Sequence, residues 1–483
     1  MTALRSASDG RGGPTSWPLT PIEELDLYFE SAAEPSLIQL ETLVRGHLDP
    51  AALESALADA LAADPAARRH LAATSRWRRR LRWETAAAVV PADTTAGRPN
   101  PGRDAIPLTV ASWLSTDHLA ALREWLSAWP IPLRDRAVRL VLAAGPENDV
   151  VILQTHHAAF DGISSLALLT AIGVAYRERA GDVAGPGPGP GRGRGPGRGP
   201  GPGPEIISLP APRQAGAVAK TRSRGAGWIP AALARITARV PGVVTRVAAR
   251  TAWPDRPGYG SAHRSVPVPR PARQGSGPFP TVNDLLVAAL ILTVDRWNTA
   301  QGQRSGHIRI SVPVNGRDQQ GRWTGAGNQT RLIRVSAGSR ERADPARLLA
   351  HVAAQTRAGK QRTSGGLDAT SRLLAAGWAP AAIKRPAARL ARRIAGPVCT
   401  DSALLSNLGA MPDPPSFSGS GAGPVWFSGP AQMPRGLGVG AATTAGRLHL
   451  CVSYRHALLD RAAGADFTEL YCQALGELAG RPA

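Results

Sequence analysis

Two adjacent histidines, a carboxylate and a glycine fall within seven residues, His156-His157-Ala158-Ala159-Phe160-Asp161-Gly162. An imidazole, with an unperturbed pKa of about 6.5, is the usual general base at neutral pH. The apolar run Val150 to Leu153 leads into this stretch, and Ile163, Leu166, Leu168 and Leu169 follow it at roughly helical spacing. The pattern predicts a buried strand, a tight turn bearing polar groups, then a helix. Adjacent side chains on a strand point to opposite faces, so only one of His156 and His157 faces a given cavity. Asp161, four residues beyond His157, can orient the imidazole or brace the turn through a cationic partner. Gly162 permits a tight turn and close backbone approach. A base on a braced turn suits deprotonation of a hydroxyl or amine that attacks an activated carbonyl. No serine or cysteine stands in a nucleophile-elbow setting, which favours direct attack by the acceptor over an acyl-enzyme.

Other groupings carry less. A metal site built from His156, His157 and Asp161 lacks a further ligand set at metal-type spacing, so no metal is expected. His456 and Asp460 repeat the His-to-Asp spacing of four but lack the second histidine and the glycine. They follow the alternating strand Leu448, Leu450, Val452, Tyr454 and should simply start the last helix. Asn283 and Asp284, after Pro280-Thr281, read as helix-capping residues.

The elements around the turn suggest an organisation. Residues 1–16 are polar and glycine-containing and are expected to be disordered. Residues 17–180 read as mixed strand and helix, with a helix from Leu119 to Trp129 ended by Pro130 and Pro132. Trp113, Trp125 and Trp129 are expected in the core. Residues 181–204 form a linker, nearly pure Gly-Pro from Gly185 to Pro204 with Arg192, Arg194 and Arg198 inserted. Such a composition cannot bury a core, and its alternation is not the three-residue repeat of collagen. Residues 205–483 form the second half. Two stretches, Trp228 to Thr251 and Lys384 to Arg393, interleave arginines with apolar residues. Facing one way, they would make a cationic rim for an acyl carrier protein, coenzyme A phosphates or an anionic membrane; facing apart, they are solvated helix faces.

Composition sets bounds. The 483 residues, 43% of them hydrophobic, suffice for two or three domains or two large subdomains sharing one interface. The formal net charge is +21, and only Lys220, Lys360 and Lys384 among 57 basic residues are lysine. That charge attracts acidic proteins and anionic surfaces. Aromatics are 5% of the chain and no finger or aromatic-basic motif is present, so no specific nucleic-acid partner is expected. Cys399, Cys451 and Cys472 show neither a disulfide nor a zinc pattern, the amino terminus lacks a secretory signal, and no apolar run is long enough to span a membrane. A cytoplasmic protein with possible peripheral membrane contact is expected.

His156 to Gly162 matches the HHxxxDG signature of the condensation-domain and acyl-CoA-dependent acyltransferase superfamily. That superfamily includes nonribosomal peptide condensation domains, wax ester synthases and polyketide-associated acyltransferases. The chain resembles it elsewhere too. Pro18 to Glu23 is similar to the family's amino-terminal segment, and Gly46 to Asp49 with Pro50 to Leu61 to its first strand-to-helix passage. Thr281 to Leu286 resembles the T-x-N-D helix start, and Ser311 to Arg317 the P-V-x-x-R strand. Gly327-Asn328 resembles the glycine-asparagine that follows, and Leu405 to Gly409 the late S-N-x-G element.

The resemblance implies an α/β fold of two chloramphenicol-acetyltransferase-like subdomains with an active-site tunnel between them. It implies His157 as the catalytic base, His156 as structural, Gly162 as part of the same motif, and Asp161 held by Arg317 from the other subdomain. Ser406 and Asn407 would lie near the channel. The implied activity is a stand-alone condensation-type acyltransferase, with an acyl-CoA or a phosphopantetheine-linked acyl thioester as co-substrate and no permanently bound cofactor. The donor would be acyl-CoA or an acidic acyl or peptidyl carrier protein, and the acceptor a hydroxyl or an amine. Two alternatives stand beside it: a membrane-surface O-acyltransferase of wax ester or diacylglycerol type, and a noncatalytic member that docks a carrier protein.

Overall fold

The computed structural model describes residues 16–73, 75, 77–85, 108–183, 205–206, 244–270, 280–315, 330–361, 379–417 and 421–480. The expected disordered tail (apart from Ser16), the Gly-Pro stretch, most of the Trp228–Thr251 stretch, Arg317 and Gly327-Asn328 lie outside them.

In chain order the elements of the first half are β1 (Ser16–Pro18), α1 (Pro21–Phe29), β2 (Leu37–Arg45), α2 (Pro50–Ala63), β3 (Arg69–Leu71), β4 (Arg82–Thr85), β5 (Leu108–Ser112), α3 (Thr116–Ala128), β6 (Val138–Ala144), β7 (Asn148–His156) and α4 (Gly162–Val183); β8 (Glu205–Ile206), at the start of the second half, pairs with β5 of the first. The second half holds β9 (Tyr259–Pro267), α5 (Val282–Ala300), β10 (Ile308–Asn315), β11 (Thr330–Ala337), α6 (Pro345–Gln361), α7 (Ala381–Cys399), β12 (Ala403–Ala410), β13 (Val425–Ser428), β14 (Leu437–Thr444), β15 (Arg447–Arg455) and α8 (Arg461–Leu478).

Local chemistry starts these helices; α3 begins at Thr116, ahead of the expected start at Leu119. Thr20 and Glu23 form a reciprocal capping box, with Pro21 in the first turn of α1. Asp49 caps α2 ahead of Pro50, and Ser115 caps α3. Thr281 caps α5 and Asp284 closes its capping box, so Asp284 is a capping residue as expected, whereas Asn283 sits in the first turn without capping. Asp460 accepts the Ala463 N–H and begins α8, which accounts for the second His-to-Asp pair.

Two six-stranded mixed sheets organise the chain. The first has the order β13-β2-β7-β6-β5-β8 and the second β11-β10-β12-β14-β15-β9. In the first, β2 runs antiparallel to β7 with Leu37 opposite His156. That register brings the segment before β2 alongside the histidine turn. One large core packs α5, α6 and α8 on the second sheet, and another packs α2 and α4 on the first. Of the three tryptophans, the Trp125 and Trp129 rings meet at a tilt with centroids 4.6 Å apart, and all three pack partly buried against a smaller core under α3.

The halves are interlocked. β13 comes from the second half yet pairs antiparallel with β2, covering an edge that would otherwise offer unpaired backbone groups. Val425 and Phe427 enter the core of the first half from this strand. β13 also rests on β14, where a Cβ on Gly440 would run into the Phe427 carbonyl. Helix α7 reaches back in the same way, onto α1. Lys384 is fully buried and donates to Glu24 Oε2 at 2.8 Å and to the Arg79 carbonyl at 2.9 Å. Arg389 donates to the Tyr28 and Glu30 carbonyls, and Arg392 to the Phe29 and Met433 carbonyls. Of the second stretch considered for a cationic rim, Lys384 is buried and Arg389 and Arg392 bond backbone carbonyls, while Arg385, Arg389 and Arg393 stay exposed; most of the first stretch lies outside the described residues. The carbonyls at the C-terminal end of α1 carry partial negative charge and draw Arg389 and Arg392 in.

Candidate active site

The histidine turn sits where β7 ends and α4 begins. All of β7 after Asn148 is buried, which holds the turn at a fixed height above the sheet. His156, the last strand residue, has no exposed surface. Its Nδ1 lies 3.2 Å from the Ala158 N–H and therefore accepts. The ring proton is thus on Nε2, which donates to Glu30 Oε2 at 3.2 Å. Burial pushes the Glu30 carboxyl upward, but the His156 hydrogen bond, the Ser36 N–H and the Arg385 charge outweigh it and hold the carboxyl below its ordinary value.

His157 is half-buried and differently held. Its backbone N–H donates to the Ser36 carbonyl at 2.8 Å. Its Nδ1 lies 3.1 Å from the Phe160 carbonyl, which can only accept. The neutral ring therefore carries its proton on Nδ1, leaving Nε2 with a free lone pair. Ser36 joins the two histidines, because its own N–H donates to Glu30 Oε1 at 3.1 Å. The divergence expected of adjacent strand residues is realised: His156 is tied to Glu30, just beyond α1, and His157 is not.

Asp161 is buried and caps α4. Its Oδ1 accepts from the Ser164 N–H at 2.8 Å and the Ser164 hydroxyl at 2.9 Å, and its own N–H donates to Ser164 Oγ at 2.9 Å. Ser165 donates to the Asp161 carbonyl and meets Thr155 of β7 at 2.7 Å, closing strand, turn and helix into one hydrogen-bonded unit. Gly162 opens the helix in an ordinary backbone conformation, so its value lies in close approach: a Cβ there would stand 2.9 Å from Leu408 Cδ2 and 3.0 Å from the Phe427 ring. Leu408 belongs to β12 and Phe427 to β13, so the second half of the chain presses on the turn itself. Ser406 and Asn407 precede Leu408 on β12, and Asn407 Oδ1 accepts the Gly409 N–H at 2.9 Å. Among the described residues, no group of three or more His, Cys, Asp or Glu is arranged to hold a metal ion.

No family model matches the sequence. Two uncharacterized proteins of Mycobacterium tuberculosis, Rv2305 and MT2362, are each 28% identical to it over 433 residues, covering 87% of this chain and 90% of theirs. Among solved structures, the starter condensation domain of rhizomide synthetase RzmA in complex with C8-CoA superposes with a TM-score of 0.56 at 16% identity, over 96% of this chain and 95% of that one. The epimerization domain from the third module of tyrocidine synthetase B gives 0.54 at 15% identity, over 98% of this chain and 99% of that one. The nonribosomal peptide synthetase FmoA3 gives 0.56 at 16% identity, over 98% of this chain and 43% of its own length.

The chain has the condensation-domain fold.

Within that fold the two sheets of this chain face each other across a polar seam that the motif reading did not detect. Gln39 and Glu41 alternate on one face of β2, and Gln39 Nε2 donates to Glu41 Oε1 at 2.6 Å. Gln154 of β7 donates to Gln39 at 2.7 Å, and Arg139 of β6 donates to Gln154. Arg123 of α3 bonds Glu41 Oε2 at 2.7 Å. From the other sheet, His263 of β9 approaches Glu41 at 3.7 Å. Burial, with the Arg123 charge, depresses His263 to about 4, so at neutral pH it is uncharged and the contact is not a salt bridge. A cavity of about 30 Å³, bordered by Gln39, Gln154, Tyr259, Ser428 and Ser453, opens in this seam. The signal was present as two polar residues at period two, Gln39 and Glu41, among the apolar residues of β2. Glu30, the partner of His156, had no such signal, because it lies 126 residues from it and follows the end of α1.

Proposed function

We propose that this chain is a condensation-type acyltransferase that moves an acyl group from a CoA or carrier-protein thioester to a hydroxyl or amine acceptor, with His157 as general base. The observation that carries the reading is the split between the two histidines. His156 is locked by Glu30 and the Ala158 N–H, whereas the Phe160 carbonyl fixes the His157 proton on Nδ1 and leaves Nε2 able to accept one. The complex of the RzmA domain with C8-CoA supports a CoA thioester as donor.

The residues perform the reaction in the following order. The acceptor O–H or N–H gives its proton to His157 Nε2 while its oxygen or nitrogen bonds to the thioester carbonyl carbon. The tetrahedral intermediate collapses, the carbon–sulfur bond breaks, and the departing thiolate takes the proton back from His157. A base acting in this way contributes about 10² to 10⁴ in rate. Asp161, by capping α4 and pairing with Arg317 across the subdomain seam, would hold the turn in register with a tunnel between the halves. Ser406 and Asn407 would border that tunnel.

The test is incubation with a panel of acyl-CoA and acyl-carrier donors against hydroxyl and amine acceptors, reading thiol release and product mass. Turnover by the wild type that falls at least a hundredfold in His157→Ala supports the reading. A folded wild type that releases no thiol and forms no product across the panel overturns it.

A further inference from the structure

Helix α7 carries a face that neither the fold nor the acyl-transfer reading uses. Its buried side holds Lys384, Ala388 and Arg392 against α1. Its outer side exposes Ile383, Leu390 and Ile394 at 47%, 58% and 68%. At about 100° per residue these three fall within about 40° of one another, so they form one stripe along the helix. Arg385, Arg389 and Arg393 are exposed on the flank between that stripe and the buried side. No acidic residue occurs anywhere in α7. A second exposed group adjoins the start of the helix. The Ala381 N–H donates to the Arg78 carbonyl at 3.0 Å, and the neighbouring Trp77 is 61% exposed with Arg78 and Arg79 beside it. Bulky aliphatic side chains exposed in a row cost free energy in water unless something covers them.

We infer that α7 and the Trp77–Arg79 loop form a docking surface for an anionic lipid bilayer. Three features fit that occupant. The stripe projects from a single convex helix, which a fluid interface can accommodate. Arginines line the flank of the stripe, where they would meet lipid phosphates while the aliphatic tips enter the acyl boundary. An exposed tryptophan at the helix start suits the headgroup level. The surface is also mechanically close to the histidine turn. Arg389 on α7 donates to the Glu30 carbonyl at 2.5 Å, and the Glu30 carboxylate holds His156. Docking would place the site beside the bilayer, where long-chain acyl donors or acceptors are concentrated. The inference does not depend on the acyl-transfer reading, since binding can occur without turnover.

The experiment is sedimentation of the full-length protein with phosphatidylcholine vesicles, with and without about a third phosphatidylserine, at several salt concentrations. Binding should require the anionic lipid and weaken as salt rises. The discriminating variant is Leu390→Gln with Ile394→Gln. It conserves the net charge of +21, so general attraction between a basic protein and an acidic surface is unaffected. Both side chains are exposed, so the thermal midpoint should hold, while partitioning onto anionic vesicles should fall by about tenfold or more. A second variant, Arg385→Gln with Arg393→Gln, should also lose binding and show a shallower salt dependence. The inference is overturned if wild type does not sediment with anionic vesicles, or if the Leu390 and Ile394 variant binds them as wild type does. It is equally overturned if the face binds an acidic acyl carrier protein in a Leu390-dependent way but no vesicle.

Discussion

Adjacent histidines in one turn should fail in different ways when removed. His157→Ala deletes a half-buried ring that makes one side-chain hydrogen bond, to the Phe160 carbonyl. A bond of that kind contributes about 0.5–1.5 kcal/mol net, so stability should fall by no more than about 1.5 kcal/mol, a shift of a few degrees at most in a chain of this size. Activity should fall about 10² to 10⁴-fold. His156→Ala deletes a ring with no exposed surface, leaves the Ala158 N–H without its acceptor, and strips Glu30 of the N–H that stabilises its charge. Stranding buried polar groups costs about 1–3 kcal/mol each, and the vacated volume adds to that. A loss of roughly 3–5 kcal/mol is expected, with activity falling chiefly through loss of folded enzyme. The assay pairs thermal melting, followed by near-ultraviolet circular dichroism, with thiol release at matched folded concentration. If His157→Ala keeps full activity, or if His156→Ala melts with wild type and loses all turnover, the assignment of base and brace is wrong.

Three further outcomes follow from the same geometry. Gly162→Ala should cost about 1–3 kcal/mol by overpacking, because its Cβ would meet Leu408 Cδ2 at 2.9 Å; a melting curve equal to wild type would show that the seam yields freely. Asp161→Asn preserves a side-chain acceptor for the α4 cap but removes the charge, so if Asp161 pairs with Arg317, a double-mutant cycle over the two should show a coupling well above 0.5 kcal/mol, and strict additivity would remove the clamp. His263 is held at about 4, against about 6.5 when unfolded, so the unfolded chain binds more protons between those values; stability present above pH 6.5 should be lost as pH falls toward 4, on the order of 3 kcal/mol, and His263→Gln should flatten that part of the curve, an unchanged curve refuting the assignment.

What could be read along the chain was whatever depends on near neighbours. The strand-turn-helix around His156 and His157 follows from apolar patterning and from a turn too short to fold otherwise. The capping role of Asp284 and the helix start at Asp460 follow from side chains reaching backbone donors three residues away. The divergence of the two imidazoles follows from strand geometry alone. Tertiary structure decided everything that depends on distant partners. Glu30 reaches His156 across 126 residues because β2 pairs with β7 in one register, and no local pattern marks which acidic residue that register will deliver. The pattern of the Lys384–Arg393 stretch leaves open which way it faces; the structure ties Arg389 and Arg392 to the carbonyl end of α1 and Lys384 to Glu24 in full burial, and leaves Arg385 and Arg393 exposed. The polar seam of Gln39, Glu41, Arg123 and His263 forms only because two sheets and a helix converge, and the energy that orders it comes from burial that none of its members has alone. The β13 crossover belongs to the same class. A four-residue strand carries too little pattern to name its partner, and it joins β2 because that edge needs covering.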